Sequence, residues 1–268
     1  MGAELFELEM LGDAFERRYR KARPEVDAMP WGTLDPTRIP DEALVLARKA
    51  WTGAAYQEHR TGVACCATLR ALMECRAPLD LIAMAARFPL DELVHVELCA
   101  RMAMELGGGT EIMHDPDTMI AEAPEGLSPL LRAADLVVRF FCVGEALSIP
   151  LLRGTWKAAR HPLPRAILGR IVKDEAAHGT FGFAFLDWAA PKLTDDDRAH
   201  LGRAADRTIR AVKQQWAALE KGRSSAYDEA VGDALAWMHG DAYLALAAKS
   251  MEERVRRPLR ERAIPLTE

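Results

Sequence analysis

The chain is poor in the features that mark several large functional classes. It has five cysteines, an odd number, and no two of them form a Cys-x-x-Cys pair. Such usage builds neither a disulfide framework nor a cysteine-rich metal ribbon, and it fits reduced thiols of the cytoplasm. No stretch of eighteen apolar residues occurs, so nothing in it reads as a membrane-spanning helix. Met1 to Met10 carries no basic-then-apolar leader pattern, and a cytoplasmic location is the expectation. The net charge is −5 with acids and bases interspersed, which leaves no basic face for a nucleic acid. There is also no flavin fingerprint and no iron–sulfur cysteine spacing.

What the chain does contain is one constellation written twice. Asp91-Glu92-Leu93-Val94-His95 and Asp174-Glu175-Ala176-Ala177-His178 both read Asp-Glu-x-x-His, and each has a lone glutamate upstream, Glu58 and Glu145. On an α-helix, residues i and i+3 share a face, so Glu-x-x-His aims a carboxylate and an imidazole at one point. A glutamate on a neighbouring helix can meet them there. Two such sets supply four carboxylates and two histidines, hard donors that suit a pair of iron or manganese ions. This is the ligand pattern of the di-iron and di-manganese carboxylate bundles.

The surrounding pattern places these groups inside. Trp51, Ala55, Glu58, Gly62 and Cys65 follow a helical seam, as do Phe88, Glu92, His95, Cys99 and Met102. Val138, Phe141, Glu145, Ser148 and Leu152 form a third, and Leu168, Ile171, Glu175, His178 and Gly182 a fourth. In each, the ligand candidates interrupt an apolar or small stripe. Four carboxylates gathered in a core repel one another unless cations neutralise them, and two divalent ions balance their charge. Asp91 and Asp174 lie four residues before their histidines, on the same face. Each is a candidate to orient the histidine of the opposite motif, since metal-bound imidazoles usually give their second N–H to a carboxylate. The alternative is an ordinary solvated aspartate.

With half of its 268 residues hydrophobic, the chain can form one large domain over 1–268. Residues 1–40 read as an N-terminal segment, with a helical pattern over 3–22 and a proline-rich loop over 23–40 that Trp31 pins down. Four long helices are expected at 41–75, 79–106, 127–159 and 163–190. Pro78 leaves a short turn between the first two, which are then antiparallel. Gly107-Gly108-Gly109 ends the second helix. The link 107–126 is long enough to cross the whole bundle and start the third helix parallel to the second. Pro150 predicts either a plain kink or a bulge that opens a cavity beside the metals. Residues 191–268 read as accessory helices at 195–221 and 225–256, the latter stopping before Pro258. Trp216 and Trp237 suggest that both helices pack on the bundle. The run Arg17 to Lys21 and the arginines 254, 256, 257, 260 and 262 read as solvated. His114 reads as a surface residue, and His200 and His239 as surface or core histidines.

The doubled Glu…Asp-Glu-x-x-His set resembles the ferritin-like superfamily, and within it the di-iron oxidases and oxygenases. The resemblance covers roughly residues 41–190 and implies an all-α fold. That fold is a ferritin-like four-helix bundle with a long crossover, here with an N-terminal segment and two added C-terminal helices. It implies two metal ions held by Glu58, Glu92, His95, Glu145, Glu175 and His178. Glu92 and Glu175 would bridge them, and Glu58 and Glu145 would be terminal. Two iron ions are expected, with manganese or a mixed pair as alternatives. Oxygen-activating members often carry a threonine one turn after the third-helix glutamate. Ser148 stands there, a catalytic candidate whose hydroxyl could donate a hydrogen bond to developing charge. The function implied is a non-haem di-iron oxidoreductase that uses O2 to hydroxylate, desaturate or N-oxygenate a small organic substrate. Its electrons would come from an external donor, a ferredoxin or reductase, and a homodimer is compatible with it. A di-manganese catalase or peroxidase, or a non-enzymatic iron-binding protein, are the alternatives.

Overall fold

The computed structural model describes residues 2–119, 121–222, 238 and 240–268. They are overwhelmingly helical. Two short helices, α1 (Asp13–Lys21) and α2 (Pro24–Asp27), lead into two long ones, α3 (Asp41–Glu74) and α4 (Leu79–Glu105). The third long helix is assembled from α5 (Pro129–Val137), a π-helical turn (Val138–Glu145) and α6 (Ala146–Ala158). It is followed by α7 (Pro162–Ala189), α8 (Asp195–Gly222) and α9 (Gly240–Ser250). A second π turn (Met251–Arg256) and α10 (Arg257–Glu261) end the described chain's helical part. None of the described helices is long and apolar enough to cross a membrane.

Local chemistry sets these boundaries. Asp41 and Glu42 sit in the first turn of α3, where the helix dipole favours acids. Arg76 adopts a positive φ of 53° just past α3, and Ala77 N–H returns to the Leu72 carbonyl at 3.0 Å, closing the end. Past α4, Gly107 takes φ 98° and Gly108 N–H reaches the Ala103 carbonyl at 3.0 Å, a termination that favours glycine. Ser128 caps α5 by accepting from Leu131 N–H at 3.2 Å. His161 Nδ1 does the same for α7, from Leu163 N–H at 3.2 Å.

The apolar side chains form two cores. One gathers Ala71 and Leu72 from the end of α3, Phe88 from early α4, Leu131 from α5 and Phe185 from late α7. The other gathers Ala47 and Trp51 from early α3, Leu98 and Met102 from late α4, and Leu163 and Ile167 from early α7. The third helix reaches this second core only with its far end, at Leu152 and Trp156. Hence α3 and α4 run antiparallel, the third helix runs parallel to α4, and α7 returns. The link after α4 therefore spans the length of the molecule. Arg48 of α3 ties down its start, donating to the Gly108 carbonyl at 2.7 Å.

The N-terminal half of the expected 3–22 helix is not helical. Glu4–Leu5 (β1) instead pairs antiparallel with Met113–His114 (β2) in the crossing link, Glu4 opposite His114. Only a partner distant in sequence makes it a strand. Trp31 does fasten its loop, donating to the Val26 carbonyl at 2.7 Å and lying under the Arg101 guanidinium at 4.2 Å. Arg20 is not merely solvated, because it pairs with Glu97 of α4 at 2.7 Å.

Pro258 does not stop the last helix. Helical backbone runs on from the π turn through Arg257–Glu261, and Pro258 lies within it. Residues 225–237 and His239 of that expected helix, Trp237 included, lie outside the described residues. The basic tail is fastened: Arg262 forks onto Asp187 at 2.7 and 2.9 Å, and Arg260 onto Glu252 at 2.7 and 2.9 Å. Trp216 packs against the first core, as expected for an accessory helix.

Candidate metal centre

Between the two apolar cores lies a buried polar cluster. Glu58 comes from α3, Glu92 and His95 from α4, Glu145 from the end of the π turn, and Glu175 and His178 from α7. Glu92, His95 and His178 are fully buried, and Glu145 and Glu175 nearly so. The donor atoms fall into two groups, each within 4.8 Å: Glu58, Glu92, His95 and Glu175, and Glu92, Glu145, Glu175 and His178. Glu92 and Glu175 belong to both. Each group adds one histidine and one further glutamate, so either could hold a metal ion.

The facing atoms are the telling ones. His95 Nδ1 stands 3.3 Å from Glu175 Oε1 and 3.6 Å from Glu92 Oε2. His178 Nδ1 stands 3.0 Å from Glu175 Oε2 and 3.2 Å from Glu92 Oε1. Yet both Nδ1 atoms, both Glu92 oxygens and Glu175 Oε2 lack a hydrogen bond of good geometry. Buried polar atoms without partners cost stability, and a convergent set of them is rare without a bound species. All are lone-pair donors aimed at the space between them, so their chemistry fits a pair of divalent cations.

The second imidazole nitrogens turn outward. His95 Nε2 meets Asp174 Oδ2 at 3.3 Å, and His178 Nε2 faces Asp91 Oδ2 at 3.7 Å. Asp174 thus bonds to the histidine of the other motif, whereas Asp91 faces its counterpart from beyond hydrogen-bond distance, and neither Asp91 Oδ2 nor His178 Nε2 has a hydrogen-bond partner. A proton on Nε2 leaves the Nδ1 lone pair free for the centre. Arginines hold the aspartates in turn. Arg87 pairs with Asp91 at 3.0 Å and reaches Asp174 at 3.6 Å. Arg170 pairs with Asp174 and reaches Glu25 of α2 at 3.3 Å. Arg87 and Arg170 each stand four residues before their aspartate. The doubled motif is therefore Arg-x-x-x-Asp-Glu-x-x-His, and its arginines were a signal the shorter pattern left out.

Burial opposes charge on His178, but the carboxylates of Asp91, Glu175 and Glu92 outweigh it and push its pKa up to about 12. His95 is raised for the same reasons. Burial, reinforced by the charges of Glu175 and Glu92, pushes Glu145 well above the carboxylate range. Burial would raise Glu175 too, but the two imidazoles hold it well below. The cluster as a whole demands positive charge at its centre.

Ser148 sits one turn past Glu145, and its hydroxyl points to Glu145 itself, 3.1 Å from the carbonyl and 3.3 Å from Oε2. A hydroxyl has one proton to give, and the nearer acceptor is the backbone carbonyl one turn back, with the carboxylate second. Phe88 packs against the His178 ring with centroids 4.1 Å apart and the planes tilted by 53°, and Phe141 and Phe181 pack on Phe88 in turn. The bulge expected near Pro150 is a π turn placed earlier, ending on Glu145. Pro89, three residues before Glu92, is a second helix-interior proline.

The other described histidines stay out of the cluster. His114 is not a surface residue: its ring packs against Tyr56 and Phe6, with centroids 5.6 and 6.0 Å away. His200 bonds to Asp135 at 2.8 Å. Compared with known proteins, the chain matches no family model and no curated protein.

Proposed function

We propose that this chain is a ferritin-like, oxygen-dependent non-haem di-iron oxidoreductase acting on a small organic substrate. The observation that carries the reading is the pair of donor groups sharing Glu92 and Glu175, each completed by one histidine and one glutamate. Glu58 and His95 would hold one ion, Glu145 and His178 the other. Bound iron would supply redox chemistry with O2 that no side chain here can supply. The protein's own part is to orient and to exclude water. Asp174 sets the tautomer of His95, and Asp91 faces His178. Phe88, Phe141 and Phe181 keep bulk water from one side of the centre. A partner ferredoxin or reductase would deliver electrons, since the described residues offer no redox cofactor motif of their own.

The test is metal analysis of protein from iron-supplied cells, followed by anaerobic reduction and measurement of oxygen uptake. About two irons per chain and stoichiometric oxygen consumption are expected. Rapid peroxide disproportionation by manganese-loaded protein, without oxygen uptake by the reduced iron form, would favour a catalase. Oxidation of many irons per chain in a large hollow assembly would favour storage.

A further inference from the structure

The two halves of the cluster are not supported alike. On the His178 side, Asp91 has one arginine, Arg87, whose side chain is 61 % exposed, and His178 Nε2 has no hydrogen bond. On the His95 side, Nε2 bonds to Asp174, and Asp174 has two arginines, Arg170 and, at 3.6 Å, Arg87. Arg170 is the better enclosed of the two, at 18 % exposure. Its guanidinium is shared between two carboxylates: Nη1 donates to Asp174 and Nη2 to Glu25 Oε1, the latter at 3.3 Å.

Glu25 belongs to α2, and α2 is itself fastened. A helix of four residues is too short to hold its shape alone. Val26 is buried in the second apolar core, and Trp31 donates to its carbonyl at 2.7 Å. Asp27 accepts from Arg101 of α4 at 2.8 Å and from Arg20 of α1 at 3.2 Å. Arg20 in turn reaches Glu97 of α4 at 2.7 Å. Both residues that follow Glu25 are thus pinned, and an unbroken line of contacts runs from α2 to one imidazole: Glu25, Arg170, Asp174, His95. No counterpart reaches the other imidazole. Among the described residues, Arg87 pairs with no carboxylate besides Asp91 and Asp174.

We propose that Glu25 and Arg170 are positioning residues for the metal position of His95, and that the two positions are therefore unequal, the His95 position binding a divalent cation first and more tightly. This rests on the metal reading of the cluster, and on neither iron nor oxygen chemistry. The physical reason is preorganisation. His95 presents Nδ1 with its other nitrogen already bonded to a carboxylate that two guanidinium groups hold, so the ring need not reorient when a cation arrives. His178 has no such bond in place and must draw Asp91 in as it binds. Glu25 acts through Arg170 from the segment preceding the bundle, so the docking of α2 is part of what sets the affinity. Its side chain is 46 % exposed, which keeps its own share modest.

Anaerobic calorimetric titration of the full chain with Co2+, followed in parallel by proton NMR, tests this. Bound Co2+ moves the remaining N–H proton of a ligating imidazole far outside the ordinary spectrum, so each position carries its own signal. Two steps are expected, the first about tenfold or more tighter than the second. The N–H signal that grows in first should also exchange more slowly with solvent, and it should persist in His178→Ala, which assigns it to His95. Glu25→Ala should weaken the first step by about twofold to fivefold, the scale of a partly exposed ion pair, and speed exchange of that proton alone. Glu25→Gln, whose amide oxygen can still accept from Arg170, should restore the slow exchange. Glu16→Ala, which loses only a contact to Arg20, should change neither step. Two equal steps would overturn the proposal, as would a first signal that vanishes in His178→Ala. A Glu25→Ala loss shared equally by both steps would also overturn it, because that is the mark of long-range charge and not of a line of contacts. Protein that binds no Co2+ would refute the metal reading and this inference with it, whereas two Co2+ bound alike would refute this inference alone.

Discussion

At the residue scale, the cluster separates side chains that donate from those that aim the donors. Glu175 belongs to both donor groups, so Glu175→Ala removes a carboxylate from each and should strip most of the metal. Asp174 touches only the outward nitrogen of His95 and its arginines. Asp174→Ala should keep the fold by circular dichroism and lower metal affinity by roughly ten- to a hundredfold, the usual loss when such a partner is removed. Competition with a chelator reads the difference directly, and wild-type retention by the Asp174 variant would reject the positioning role. The convergence of the six donors was legible because helical spacing is nearly invariant and the set is written twice. The arginine supports were less so, because a lone Arg four residues before an Asp reads as any surface i,i+4 pair. Only its repetition in both motifs marks it.

At the element scale, the π turn decides where Glu145 points. A wider turn accommodates one residue more than the α-helix would, which rotates everything downstream by about 100° relative to a regular helix. Inserting one alanine between Val143 and Gly144 adds a residue that the turn does not already absorb, and should swing Glu145 out of its group. The expected result is a helical protein whose second metal is lost while the group of Glu58 and His95 retains some, read by metal analysis and circular dichroism. Two metals in the insertion variant would show that the register set by the π turn is not required. This turn was not legible in the sequence, because Val138, Phe141 and Glu145 follow an ordinary helical seam. The nearest cue, Pro150, lies a turn later. Short β1 was hidden for a different reason: Glu4 and Leu5 are strand only because Met113 and His114 lie beside them, and no local signal encodes that pairing.

A second element-scale device fastens the C-terminal residues to α8. Asp206 accepts from Thr267 N–H at 3.0 Å, from its hydroxyl at 2.6 Å and from Glu268 N–H at 3.2 Å. Burial would raise its pKa, but these donors outweigh it and hold the carboxyl below its usual 3.8. A depressed folded pKa means the stabilisation is fully present above 3.8 and is lost as pH falls through the lower, folded value. The protection of the Thr267 and Glu268 amides, their exchange rate relative to the unfolded chain at the same pH, should therefore fall on acidification below 3.8. Asp206→Asn should show the lower protection already at neutral pH and a flatter acid dependence. Protection that responds to pH identically in both proteins would detach the effect from Asp206.

At the scale of the whole molecule, a charged waist separates two apolar cores, and each long helix contributes to both sides of it. Phe88 belongs to one core and packs on His178, while Val94 and Leu98 of the same helix belong to the other. Across the waist, several buried donor atoms are left without a hydrogen bond. Cations that bind only the folded chain stabilise it by mass action, about 2.7 kcal/mol at a free concentration a hundred times Kd. For a chain of this size, 1 kcal/mol moves Tm by roughly 2–4 °C, so loading one site to that degree should raise Tm by about 5–10 °C. Calorimetry of the metal-free and metal-loaded protein measures the shift. Phe88→Leu should reduce it, because a smaller side chain against His178 loosens the ring that carries one of the donors, while Leu72→Ala in the same core lowers both melting temperatures together. An unchanged Tm on metal loading, with Phe88→Leu and Leu72→Ala behaving alike, would mean that no cation belongs in the waist.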